Sequence, residues 1–263
     1  MSELVFRVHP GHPTSPVILH VPHASRRVTP AARASIVLDD GALAAELDQM
    51  TDAHTDLIAE RAARAAATAP WRLVNLASRL VVDPERFPDP AAEEMTAVGM
   101  GAVYTRTSGG AVLRAEDAEV AERLLAAHFR PYAQGMTDLV NDRLAACGRA
   151  VIIDVHSYPA ARLPYELHGQ GPRPPICLGT DAAHTPGWLA DAARDAFADL
   201  GVGWNTPFAG CYVPLEHYGR DGRVAAVMVE IRRDTYLTEP GGPLTGGADA
   251  VVRALAALID AAG

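Results

Sequence analysis

Lysine is missing altogether: all 23 basic residues of this 263-residue chain are arginine. A Schiff-base amine, a pyridoxal-phosphate anchor and a P-loop each require a lysine ammonium, so none of those chemistries operates here. Cysteine is scarce too. Cys147, Cys177 and Cys211 are an odd number with no C-x-x-C pair, which argues against a disulfide framework and against a thiolate zinc site. Positive charge is short as well, with a net charge of -9 and a pI near 5.5. Phosphate binding needs a concentrated basic face, so no nucleic-acid partner is expected. No apolar run approaches the roughly 18 residues of a membrane span, and the N-terminal MSELVFRVHPGHP has no apolar signal-like core. The expectation is a soluble cytoplasmic protein with no membrane partner. Abundant alanine, with arginine standing where lysine would, suggests a bacterium with a GC-rich genome.

What is present is an ordinary globular composition, 49% hydrophobic and 21% charged, of a length that one domain over 1–263 can accommodate. Short apolar runs fall at 4–8, 16–21, 72–76, 102–105, 150–155, 176–178 and 224–231. Alanine-rich stretches of helical period lie between them, at 30–37, 41–50, 54–67, 115–146, 185–200 and 247–262. In the 115–146 stretch an apolar stripe runs through Val120, Leu124, Phe129 and Met136, and Pro131 should kink or split it. VILHV, VIIDV and VAAVMVEI are nearly continuous hydrophobic runs, as strands covered on both faces are. The expected fold is a three-layer α/β/α sandwich around a mixed, mostly parallel sheet. The loop-rich stretches 83–101 and 158–175 read as insertions over one sheet edge.

Ligands of open α/β sheets bind beyond the carboxyl ends of the strands, so what each strand delivers as it ends is informative. One run ends at His23. Another ends at His156, with Asp154 on the same face of the pleat, and the last presents Glu230, Arg232 and Asp234 in alternation. Two strand-terminal imidazoles and a carboxylate are the ingredients of a catalytic zinc site, in which three N or O ligands leave a position for water. Single histidines are more often ordinary hydrogen-bonded residues, and His20, mid-strand, reads as core; it is the co-location of His23 and His156 that singles them out. The 46–56 segment is the densest source of a third ligand, although Thr51 or Asp52 could instead cap the helix that follows. Arg79 and Arg86 stand in a loop after a strand, where a planar guanidinium suits carboxylate binding, and a surface Arg79–Asp83 ion pair is the plainer alternative. No G-x-S-x-G elbow occurs, and adjacent Ser157 and His156 point to opposite faces, so a serine nucleophile is not indicated.

Taken together, PHAS at 22–25, TDAH at 51–54, SRLVVDPER at 78–86, DVHS at 154–157, PFAGCY at 207–212, HYG at 217–219 and EIRRDTYL at 230–237 resemble the N-formylglutamate amidohydrolase family. The pieces occur in the family's order over residues 16 to 240, and His156-Ser157-Tyr158 is similar to a zinc-histidine motif of the metallocarboxypeptidases. The resemblance implies a metallocarboxypeptidase-like fold and a zinc-dependent hydrolase of N-acylated amino acids. It implies that His23, His156 and Asp52 hold one Zn2+, with His54 the alternative to Asp52. Glu230 would be the general base, and Arg79, Arg86, Arg232 (or its neighbour Arg233) and Tyr212 would bind the substrate. Related readings are a carboxypeptidase, an aspartoacylase-type deacylase, or a non-catalytic small-acid-binding protein on the same scaffold; Arg26, standing where a His-x-x-Glu glutamate would fall, speaks against the first two. The chain also departs from the family's pattern, reading Pro84-Glu85-Arg86 where a Leu-Asn-Arg-like continuation is usual. A carboxylate at Glu85 facing the acid-binding loop would disfavour a dianionic substrate.

Overall fold

The computed structural model describes residues 4–168 and 170–263. Seven strands form one sheet: β1 (Phe6–His9), β2 (Val17–Val21), β3 (Trp71–Asn75), β4 (Ala150–Tyr158), β5 (Ile176–Gly179), β6 (Val202–Trp204) and β7 (Val224–Arg232), in the spatial order β1-β3-β2-β4-β7-β5-β6. The four pairings β2–β3, β2–β4, β4–β7 and β5–β6 are parallel, while β1–β3 and β5–β7 are antiparallel. The sheet is therefore mixed and mostly parallel, as the sequence led one to expect.

Side chains alternate across the pleat, and the two faces carry different cores. Val17, Leu19, Val151, Ile153, Val227 and Val229 meet Ile58 of α3 (Thr55–Ala65), Leu189 of α6 (Gly187–Ala196) and Leu255 of α7 (Ala248–Ala262). Ile18, Leu73, Ile152 and Ala226 meet Tyr132, Met136 and Val140 of α5 (Arg130–Cys147) on the other face. Fully buried Val, Leu and Ile side chains each contribute about 1.5–3 kcal/mol, so the two layers together fix the strand register. The same alternation places the even-numbered residues His20, Asp154, His156 and Glu230 on the α5 face. There Ala and Val give way to polar groups as β2, β4 and β7 approach their carboxyl ends, and the register sets His20 beside Asp154 and His156 beside Glu230.

The 115–146 stretch splits at Pro131, as expected, and two other readings need correction. α4 (Ala118–Leu124) runs into a π-turn at Leu125–Phe129, and Pro131 opens α5, where its missing N–H costs nothing. Residues 102–105 form no strand because no neighbouring strand lies beside them; their backbone instead closes turns onto Asp83 and Gly99. β6 is a strand that composition did not reveal, a half-exposed edge piece of three residues. Among the described residues no helix is long and apolar enough to cross a membrane. The loops 83–101 and 158–175 both contribute walls to a cavity over the strand ends, through Glu85, Arg86 and Met95 on one side and Tyr165, Glu166 and Leu167 on the other.

Candidate active site

The cavity has a volume of about 830 Å³ and lies over the carboxyl ends of β2, β4 and β7. His23 follows β2 by two residues, and His156 belongs to β4. Their rings face each other, with Nδ1 to Nδ1 at 3.3 Å. Asp52, in the turn between α2 (Asp40–Met50) and α3, closes the triangle: its Oδ2 is 3.2 Å from His156 Nδ1 and 3.6 Å from His23 Nδ1. The backbone brings it there, because Asp52 N–H donates to the His23 carbonyl at 3.0 Å. Asp52 therefore does not cap α3 with its side chain.

The far side of each imidazole faces acid. His23 Nε2 is 2.9 Å from Asp83 Oδ1. His156 Nε2 is 2.9 Å from Asp154 Oδ1 and 3.1 Å from Glu85 Oε1. With the proton on Nε2, toward these acids, each ring would present its Nδ1 lone pair to the Asp52 triangle, as a metal ligand must. Two facing lone pairs and a carboxylate oxygen would repel one another without a cation between them. Their spacing also matches ligand atoms held about 2.0–2.1 Å from a shared zinc, which lie about 3.3 Å apart. The residues present thus fit a divalent metal, with carboxylates behind the histidines as metal sites commonly have. Two further donor groups, His23–Glu85–His156 and His20–Glu85–Asp154, are also close enough to hold an ion. In the Nδ1 triangle the three donor atoms lie within 3.6 Å of one another.

Charge in this cluster is tightly matched. Burial opposes ionisation of Asp83, yet Arg79 and His23 hold its carboxyl well below the usual carboxylate range. Burial likewise opposes protonation of His156, but Asp154 and Glu85 push it well above an ordinary histidine; Asp83 and Asp52 raise His23 against burial and Arg79. Asp52 is held low against burial by hydrogen bonds to the same two histidines. Such a field draws cations into the triangle.

Glu230 differs. It is 8% exposed, its Oε2 has no hydrogen-bond partner, and burial raises its pKa to about 7, with His156 pulling the other way. An orphaned carboxylate that titrates near neutrality on the wall of a cavity is suited to taking and returning a proton.

Arg79 and Arg86 both line the cavity. The Arg79–Asp83 pair is not a surface pair: Asp83 is 0% exposed and accepts from Arg79 Nη2 at 2.7 Å and Nε at 3.2 Å, and Tyr104 O–H donates to it as well. Among the described residues Arg79 donates through Nε and Nη2, and no hydrogen bond is made by Nη1. Arg86 is freer still, held only by longer ion pairs, its Nε 3.6 Å from Asp83 and its Nη1 3.8 Å from Glu93. Tyr212 lines the cavity by stacking on His20 at 4.5 Å between centroids, and its backbone N–H donates to Asp154.

Two candidates lie elsewhere. Arg232 turns outward, donating to Asp234 at 2.7 Å and to the Arg173 carbonyl, because the strand ends there and a 3-10 turn at Arg233–Thr235 re-aims the chain. Its neighbour Arg233 points in, buried, and donates to Ser157 Oγ, the Gln49 carbonyl and Asp52 Oδ1. His54 sits in a left-handed conformation (φ 65°) with Nε2 at 3.0 Å from the Gly242 carbonyl, away from the triangle. Sequence reasoning also left His20 as plain core. It is fully buried, but it links Asp154 at 2.8 Å to the Tyr132 hydroxyl at 2.6 Å. Burial pushes the Cys177 thiol up to about 11 and the Cys211 thiol up to about 12, so neither offers a thiolate at neutral pH.

A family model described as N-formylglutamate amidohydrolase matches residues 15–237. A curated protein of Pseudomonas aeruginosa named N-formylglutamate deformylase is 29% identical over 232 residues, covering 85% of this chain and 83% of its own length. The crystal structure of an N-formylglutamate amidohydrolase from Ralstonia eutropha JMP134 superposes with a TM-score of 0.80 at 21% identity, over 97% of this chain and 96% of that one. A gene product of Agrobacterium tumefaciens superposes with a TM-score of 0.69 at 20% identity, over 99% and 95%. The two structures support the fold.

Proposed function

The chain belongs to the N-formylglutamate amidohydrolase family, and from that premise we propose that it hydrolyses the amide bond of an N-formyl or closely related N-acyl amino acid at a single divalent-metal centre. His23, His156 and Asp52 would hold the metal, most simply zinc. When bound it would supply Lewis acidity, polarising the amide carbonyl and making water more acidic.

The protein's own groups do the rest. Glu230 accepts a proton from the attacking water through its unpaired Oε2 and returns it to the departing amine nitrogen, which makes one carboxyl group serve first as base and then as acid. Arg86, whose ion pairs to Asp83 and Glu93 are long, receives the substrate carboxylate. Arg79, fixed by Asp83 and Tyr104, presents Nη1 as a rigid donor for charge developing on the carbonyl oxygen. Arg233 holds Asp52 in place from behind.

The observation that carries this reading is the Nδ1–Nδ1–Oδ2 triangle, backed by carboxylates and flanked by Glu230. Its test joins metal analysis to a free-amine release assay over a panel of N-formyl, N-acetyl and N-succinyl amino acids. About one metal per chain is expected, lost in His23→Ala and His156→Ala. Glu230→Gln should keep the metal and lose turnover, and near-normal turnover in that variant would mean the base is wrongly assigned.

A further inference from the structure

Resting on the hydrolase reading above, we propose that Glu85 is a specificity-determining residue and that the substrate is a monoanion: an N-formyl or N-acyl amino acid with an uncharged side chain.

The argument is a charge inventory of the cavity wall. Four arginines line it: Arg79, Arg86, Arg130 and Arg233. Arg79 is neutralised by buried Asp83, and Arg233 by Asp52. Arg130 is held by both oxygens of Glu122, at 2.8 and 2.9 Å. Arg86 alone of the four is held only by longer ion pairs, its Nε 3.6 Å from Asp83 and its Nη1 3.8 Å from Glu93. It can anchor one carboxylate. No second uncommitted guanidinium exists among the described lining residues to meet another.

Glu85 then makes a second negative charge unfavourable. Its backbone N–H is tied to Asp83 Oδ1 at 3.2 Å, which fixes the turn. The side chain points inward: Oε1 is 3.1 Å from His156 Nε2 and 3.5 Å from His20 Nδ1, and Oε2 is 3.6 Å from His23 Nε2. The carboxylate is only 18% exposed and, among the described residues, pairs with imidazoles and with no arginine. It therefore stands beside the reaction centre as a negative charge on the cavity wall. The remaining wall includes Phe87, Met95, Leu167, Phe208 and Leu215, surfaces suited to an uncharged side chain. Like charges about 6 Å apart at an effective dielectric near 20 disfavour binding by roughly a hundredfold, and solvent in a partly open cavity reduces this to about tenfold or more.

N-formyl-glutamine and N-formyl-glutamate are near isosteres that differ by one charge, so their kcat/KM ratio reads the effect directly. The metal-loaded wild type should favour the glutamine substrate by about tenfold or more, and the preference should shrink as salt is raised. In Glu85→Gln, whose amide oxygen still accepts from His156, the ratio should fall towards unity while the metal content holds. A purely structural role for Glu85 would slow both substrates alike and leave the ratio unmoved. Equal or better use of N-formyl-glutamate by the wild type, or a ratio unchanged in Glu85→Gln, would overturn the proposal. Calorimetric titration of metal-loaded Glu230→Gln with the same two ligands separates the two levels of inference. If no N-formyl amino acid is turned over but the tenfold binding preference appears, the hydrolase reading fails and the charge assignment stands; equal binding overturns the charge assignment.

Discussion

Asp83→Asn tests whether one buried carboxylate holds both the fold and the proposed metal ligand His23. The substitution preserves shape, so no cavity opens, and its amide oxygen can still face His23 Nε2. What disappears is the charge that Arg79 needs, and an amide N–H₂ would now face guanidinium donors 2.7 and 3.2 Å away. Asp83 is fully buried and the Arg79 side chain is 13% exposed, so the unpaired cation cannot be hydrated without opening the site. Breaking a buried pair by removing one partner costs about 3–5 kcal/mol. With an unfolding entropy of about 2.1 cal/mol/K per residue, this 263-residue chain loses stability at about 0.55 kcal/mol per degree, so the melting temperature should fall by about 5–9 °C. Loosening the group behind a metal ligand also weakens metal binding, by about 10–100-fold. Differential scanning calorimetry of metal-free protein and a competitive zinc titration measure the two effects separately. A melting shift under about 2 °C together with unchanged zinc affinity would refute the argument.

Arg86→Ala should raise KM by about tenfold or more with a smaller change in kcat, whereas Arg232→Ala should leave both within about twofold, because Arg232 is occupied outside the cavity; steady-state kinetics on one N-formyl amino acid decides. Glu46 offers a pH test remote from the metal ligands. Burial raises its carboxyl above the ordinary value, against hydrogen bonds from Ser108 N at 2.6 Å and Ser108 Oγ at 2.8 Å. A raised acid contributes stability fully below its unfolded pKa of about 4.3 and loses that contribution as pH rises through the folded value. Urea midpoints of wild type relative to Glu46→Gln should therefore fall between pH 4 and pH 7, and a pH-independent difference would contradict the assignment.

The strands were legible where burial on both faces forces continuous apolar runs. β2, β4 and β7 were found in this way, and their carboxyl ends located the site. Legibility failed where an element is held by its neighbours. The three residues of β6 carry no pattern of their own and pair only because β5 lies beside them. Residues 102–105 have strand-like chemistry without a neighbour. The pleat also explains the Arg232 error: strand-terminal alternation placed Glu230 and Arg232 on one face, but the strand ends at Arg232 and a 3-10 turn at Arg233–Thr235 re-aims the chain, so it is Arg233 that enters the site.

Asp83 and Glu85 were harder, since they sit in a loop where no periodicity dictates direction. A signal existed nonetheless. Asp83 follows Leu80-Val81-Val82 and precedes Pro84, and all of these residues are buried. A carboxylate embedded in such a run must either turn outward or find partners, because an unpaired buried charge costs far more than the flanking residues gain. With Arg79 one helical turn's distance before it and Arg86 three residues after, partners were at hand, and the inward reading follows. Once Asp83 is buried between two arginines and His23, its oxygen also captures the Glu85 N–H and so determines where Glu85 points. The same short loop thus backs the proposed metal ligand His23, carries the proposed substrate-binding Arg86 and places the Glu85 carboxylate beside both. Replacements at 85 should therefore alter substrate choice, whereas replacements at 83 should alter stability and metal binding.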